Sequence, residues 1–134
     1  MVGEQPGDQE DLAGRPFVGP AGQVLGNALE RAQLQREALY LTNAVKHFKW
    51  IPRGGPNSRA VTRKHATPKP GEIKACHRWL DEELAQISPQ VVVALGRTAL
   101  ASLLGTFEPQ RLRLADFAGA PFRHEDRWVI VAPH

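Results

Sequence analysis

The residues most able to do chemistry are a carboxylate and an amide near the start of the chain, a second amide after an apolar run, one thiol and several imidazoles. Glu4 and Gln5 stand in Gly3-Glu4-Gln5-Pro6-Gly7. A carboxylate held there can steady a developing positive charge. Gln5 cannot act as a general base, because an amide neither takes a proton near neutrality nor carries charge. Beside Pro6-Gly7 both residues also read as turn formers. The Asn43 amide donates and accepts at once, which suits recognition of a polar edge or the capping of a turn. His65 follows Arg63-Lys64 in a basic stretch, and a neutral imidazole is a competent nucleophile when held close to its target. Loop histidines are also ordinary solvated residues. Cys76 is the only cysteine, which excludes an internal disulfide framework and leaves a buried thiol or a metal ligand.

These groups must be positioned by elements that the hydrophobic pattern marks out. From Pro20, the spacing of Val24, Leu25, Ala28, Leu29 and Ala32 predicts a helix near 20–33 with one apolar face. Ala38 to Val45 and Gln90 to Leu95 are short apolar runs that read as buried parallel strands. Between them, a helix from Pro70 puts Ile73, Cys76 or His77, Leu80, Leu84 and Ile87 on one side and ends before Pro89. A further helix spans Arg97 to Leu104, and Trp128 to Ala132 is again strand-like. Lys46 to Pro70 reads as a long basic loop carrying Phe48 and Trp50, of the kind that is functional or disordered. The order loop, helix, strand, long loop, helix, strand, helix, strand describes an α/β domain with an open, doubly wound sheet. Ligands of such sheets bind beyond the carboxyl ends of the strands, where the loops at Gly3, Asn43 and His134 should converge. The 134 residues suit a single domain, 1–134. A net charge of +3 fits an anionic partner without requiring one. No apolar stretch is long enough to span a bilayer and no signal peptide is evident, so a cytoplasmic protein is expected.

Several motifs recur in a fixed order. Gly3-Glu4-Gln5-Pro6-Gly7 is followed by Gly14-Arg15-Pro16-Phe17-Val18-Gly19-Pro20-Ala21-Gly22, then Thr42-Asn43-Ala44-Val45-Lys46-His47, Ala75-Cys76-His77-Arg78-Trp79-Leu80, Pro89 to Gly96, and Ala132-Pro133-His134. Together they resemble the uracil-DNA glycosylase superfamily over essentially the whole chain, close to family 4. Gln5, His47 where family 4 has cysteine, and a histidine after Arg63-Lys64 resemble the UdgX type. The upstream Cys-x-x-Cys and the first strand of the family are missing, and the chain stops at the histidine that opens a His-Pro-Ser motif. A piece of a longer relative is therefore expected.

The resemblance implies a three-layer, mostly parallel α/β sheet and an enzyme that excises uracil from DNA. It makes Phe17 the ring on which a flipped uracil stacks, a contact worth about 1–3 kcal/mol. It makes Asn43 the reader of uracil O4 and N3–H, and gives the Gly3 loop backbone amides that face the pocket. Glu4 and Gln5 then lie beside the sugar, and His134 lies against uracil O2 as a donor to the departing base. In UdgX proteins a histidine after a basic insert attacks C1′ and stays bonded, a role that falls on His65. Arg59, Arg63 and Lys64 become phosphate contacts. His47 and Cys76 match two ligands of a four-iron, four-sulfur cluster. Single-stranded substrate is expected to be preferred, because flipping from a duplex requires unstacking. The expected protein is a monomer acting on uracil-containing DNA. Hydrolytic family 4 activity and a non-catalytic, DNA-binding iron–sulfur homologue are the alternatives.

Overall fold

A computed structural model of the chain describes residues 1–53 and 62–133. Its centre is a five-stranded sheet in the order β2-β1-β5-β7-β6. The strands are β1 (Val2–Gly3), β2 (Thr42–Asn43), β5 (Val91–Leu95), β6 (Phe122–His124) and β7 (Arg127–Ala132). Pairing is parallel from β2 through β1 and β5 to β7, and only β6 runs antiparallel, as the hairpin partner of β7. Flanking helices complete an α/β fold, as the pattern predicts. They are α1 (Asp8–Ala13), α2 (Pro20–Arg31), α3 (Pro70–Ile87) and α4 (Arg97–Leu103).

The core gathers Val2, Leu80, Val92, Ala94, Leu100, Val129 and Val131. Each fully buried Leu or Val contributes about 1.5–3 kcal/mol of transfer free energy. α4 is buried from Thr98 to Leu103, so it shows no amphipathic period. Pro at N1 and N3 Glu72, whose carboxylate accepts the Lys69 N–H at 2.6 Å, start α3. Its buried stripe is Ile73, Cys76 and Leu80, but Ile87 is exposed. β5 and β7 alternate: Val92, Ala94, Val129 and Val131 are buried, whereas Val91, Trp128 and Ile130 are exposed.

Four expectations need correction. The opening is not all loop, because Val2–Gly3 pairs with both neighbours near the middle of the sheet. Two residues are too few to carry a periodic signal. The strand expected over Ala38 to Val45 narrows to Thr42–Asn43, preceded by a single 3-10 turn at Arg36–Ala38. On α2 the expected apolar face is mostly unpacked: Leu29 is buried, but Val24 is 70% exposed. The stretch 46–70 is more ordered than a loop. β3 (Trp50–Arg53) and β4 (Thr62–His65) form an antiparallel hairpin in which Trp50 faces His65 and Pro52 faces Arg63. Pro52 argues against a central strand, but a two-stranded ribbon has free edges where proline is tolerated. The ribbon stands apart from the main sheet.

Candidate active site

The first loop leaves β1 in a fixed direction because the parallel hydrogen bonding continues past the strand. Ala44 N–H donates to the Gly3 carbonyl at 2.8 Å and Val45 N–H to the Glu4 carbonyl at 2.9 Å. The side chains of Glu4, Gln5, Phe17, Asn43 and His65 then line one cavity of about 330 Å³. Five of the residues singled out from sequence are thus brought together, from four separate stretches of chain.

Phe17 has a left-handed backbone, φ +55°. A bulky residue held there costs on the order of 1–3 kcal/mol and persists only where its surroundings impose it. Two side chains impose it here. The Glu10 carboxylate accepts the N–H groups of Val18 at 2.9 Å and Gly19 at 2.6 Å as well as that of Gly7 at 3.1 Å, and Arg36 donates to the carbonyls of Pro16 and Phe17 at 3.0 and 2.8 Å. Gly22 packs so closely under Phe17 that a side chain there would collide with the Phe17 carbonyl. The tip of the ring reaches Gly3, where a Cβ would lie 2.6 Å from Phe17 Cζ and 2.5 Å from Asn43 Oδ1. Only glycine lets the ring and the amide meet over the strand end.

Asn43 is 7% exposed, and its side-chain amide makes no hydrogen bond among the described residues. Buried amides are normally paired, so an unengaged one lining a cavity is suited to a ligand. Its backbone is held from the other side by Lys46, whose ammonium donates to the Asn43 carbonyl and Thr42 Oγ1, both at 2.8 Å, and pairs with Glu83 at 2.7 Å.

Gln5 is buried and fully engaged in bracing. Its amide nitrogen donates to the carbonyls of Lys49 at 3.1 Å and Ala66 at 3.2 Å, and its Oε1 accepts the Lys49 N–H at 3.2 Å. Both feet of the β3–β4 hairpin are thereby tied to the first loop. Ala66 directly follows His65, so the brace fixes where that imidazole stands. His65 is 47% exposed, and its Nε2 lies 3.3 Å from Glu4 Oε1. The other Glu4 oxygen accepts the Thr98 hydroxyl at 2.6 Å.

The basic residues divide. Arg63 is turned to α1: it pairs with Asp8 at 2.5 Å and Asp11 at 2.6 Å, and its guanidinium lies over the rings of Phe48 and Trp50 at 5.2 and 5.9 Å. Asp11 first and Asp8 next hold it above its ordinary pKa. Lys64 is exposed. Arg59 and His134 lie outside the described residues.

Cys76 is buried on α3 with Val45 and Ile73, against Phe107, while His47 is exposed. An iron–sulfur cluster takes four protein ligands. Among the described residues no three His, Cys, Asp or Glu side chains are gathered for a metal, so the residues present do not by themselves fit such a cluster.

Sequence reasoning missed Glu10, Arg36, Thr98 and the bracing role of Gln5. The spacing Gly7-x-x-Glu10 is a helix-start signal that points to Glu10. Nothing local pointed to Arg36 or Thr98, which act across the fold.

A sequence profile of the uracil DNA glycosylase superfamily matches residues 1–134. This chain belongs to that superfamily. Among its glycosylase relatives, a type-4 uracil-DNA glycosylase of Thermotoga maritima is 43% identical over 101 residues, 75% of this chain and 46% of that protein. One from Archaeoglobus fulgidus is 36% identical over 128 residues, 96% of this chain and 57% of the relative. A type-5 uracil-DNA glycosylase of Thermus thermophilus is 32% identical over 139 residues, covering 92% and 54%. The relation to family 4 is therefore established, and the chain spans about half the length of the curated relatives it matches. No helix among the described residues is long and apolar enough to cross a membrane.

Proposed function

We propose that this chain carries the base-excision site of a uracil-DNA glycosylase that ends its reaction covalently bonded to the abasic sugar through His65. The observation that carries this reading is the meeting of Glu4 and His65, 3.3 Å apart, in the cavity that Phe17 and Asn43 also line. A flipped uracil stacks on Phe17 and presents O4 and N3–H to the Asn43 amide, which can donate to one and accept from the other. Cytosine reverses that pattern. As the bond from C1′ to the base breaks, its electron pair leaves on uracil and positive charge develops on the sugar. The Glu4 carboxylate steadies that cation. An imidazole lone pair of His65 then forms the bond to C1′. The ring becomes cationic, Glu4 offsets the charge, and the remaining N–H proton is lost to solvent, which returns one to the departed uracil anion, leaving a neutral N-alkyl imidazole and neutral uracil. That imidazole is a poor leaving group, so the adduct persists.

Bracing by Gln5 supports capture over hydrolysis, because the amide that could have faced a water is spent on the hairpin. Lys64 and Arg59 are the proposed phosphate contacts, with Arg63 holding the hairpin to α1. His134 is the proposed donor to uracil O2. Single-stranded DNA is the proposed preferred substrate, since it avoids the few kcal/mol of unpairing and unstacking. The setting this reading implies is a monomeric cytoplasmic protein.

The test is a denaturing gel and mass spectrometry after incubation with uracil-containing single-stranded DNA. A DNA mass mapped to the peptide holding His65, absent from His65→Ser, is expected. An abasic product with no adduct would instead make the chain a hydrolytic family 4 enzyme, and intact DNA would leave a binding protein.

A further inference from the structure

We propose that Thr98 is a positioning residue for this reaction: its hydroxyl fixes the rotation of the Glu4 carboxylate so that the second oxygen is presented to His65 and the sugar. The inference rests on the function proposed above and names a residue that the sequence motifs did not single out. A glutamate carboxyl group turns broadly about its last torsion, so burial alone does not choose which oxygen faces the cavity. Here the choice is made. Thr98 Oγ1 donates to Glu4 Oε2 at 2.6 Å, a length typical of a hydroxyl on a carboxylate, while Oε1 is 3.3 Å from His65 Nε2. Among the described residues no other side chain donates to Oε2.

The fold makes Thr98 a firm reference point. Gly96, at φ +91°, turns the chain sharply from β5 into α4, a conformation that a residue with a side chain rarely adopts. Its N–H donates to the Ala132 carbonyl at 2.9 Å, which ties the turn to the end of β7. Thr98 follows two residues later and is 3% exposed. A β-branched side chain has few χ1 choices, and burial of Thr98 together with its hydrogen bond to Glu4 selects one of them. Glu4 also lines a second recess, of about 520 Å³, together with Thr67, Pro68, Gly96, Arg97 and Thr98. Without the hydroxyl, the carboxylate has room to turn into that recess and away from His65. Thr98 and His65 therefore grip opposite oxygens of one carboxylate, from α4 and from the hairpin.

The test uses the full chain with Thr98→Val and Thr98→Ser, in single-turnover reactions with uracil-containing single-stranded DNA. The maximal rate of adduct formation, the half-saturating DNA concentration and the thermal midpoint are measured for each. Removing a charge-assisted hydrogen bond that acts on the reaction should lower the maximal rate of Thr98→Val about ten- to hundredfold. The half-saturating concentration should stay at its parent value, and Thr98→Ser should recover most of the rate. The inference is overturned if Thr98→Val reacts at the parent rate, or if only the half-saturating concentration moves. It is also overturned if Ser is as slow as Val and both melt lower, which would mark Thr98 as a packing residue. A parent protein that releases no uracil would sink the proposed function itself, and is told apart because all three proteins are then inactive.

Discussion

Replacing Gln5 by Ala separates bracing from chemistry. The substitution removes three hydrogen bonds, at 3.1, 3.2 and 3.2 Å, which join the first loop to both feet of the hairpin. Each neutral hydrogen bond contributes about 0.5–1.5 kcal/mol net, so together they supply roughly 3 kcal/mol toward docking the hairpin. At about 1.4 kcal/mol per factor of ten, the docking equilibrium constant falls by about a hundredfold. Two contacts survive and reduce the effect. The hairpin feet stay joined to each other by Ala66 N–H on the Lys49 carbonyl at 3.0 Å, and Arg63 still grips Asp8 and Asp11. Capture by His65 should therefore slow by about ten- to hundredfold. Uracil release should be spared, since Phe17, Asn43 and Glu4 are positioned by Glu10, Arg36, Lys46 and Thr98. Single-turnover reactions that quantify free uracil and gel-shifted adduct in parallel give both rates. Adduct formation at the parent rate, or equal loss of both steps, would refute the bracing role.

Gly3→Ala pushes a methyl against Phe17 Cζ and Asn43 Oδ1, so the thermal midpoint should drop by the equivalent of about 1–3 kcal/mol, with excision impaired in the same preparation. Asn43→Asp exchanges a donor and acceptor for an acceptor alone; the single-turnover rate of uracil release at subsaturating DNA should fall at least about tenfold, and undiminished excision would end the edge-reading assignment. Glu10→Gln weakens the grip on the Val18 and Gly19 N–H groups, and calorimetry should register a loss of about 1.5–3 kcal/mol together with weaker uracil binding. In salt titrations of DNA affinity, Lys64→Ala should reduce the slope by about one, whereas Arg63→Ala should leave it nearly unchanged because Asp8 and Asp11 already occupy that guanidinium.

The sequence displayed the long elements well. α3 and β5 announce themselves by period and by the Pro and Gly that bound them, and Glu4, Phe17, Asn43 and His65 were legible because their motifs carry them. Short pieces escaped, since a strand of two residues such as Val2–Gly3 has no pattern to read. α1 has no buried residue and hence no apolar stripe. The hairpin was hidden by Pro52 and by the basic composition around it. The bracing role of Gln5 escaped for a different reason. Its chemistry could be deduced from its side chain, but its partners are backbone atoms 44 and 61 positions away. The same holds for Thr98, whose partner Glu4 is 94 positions off.

Those separations bear on when the protein becomes reactive. Hydrogen bonds spanning 44, 61 and 94 positions give the site a high local contact order, and closing such loops is entropically late in folding. A nascent chain that has made only its neighbouring contacts has a histidine without its carboxylate and a carboxylate without its clamp. For a protein proposed to end in a permanent bond to DNA, folding is thus also the arming step: partly folded copies hold no assembled nucleophile, and the appearance of adduct reports completion of the fold.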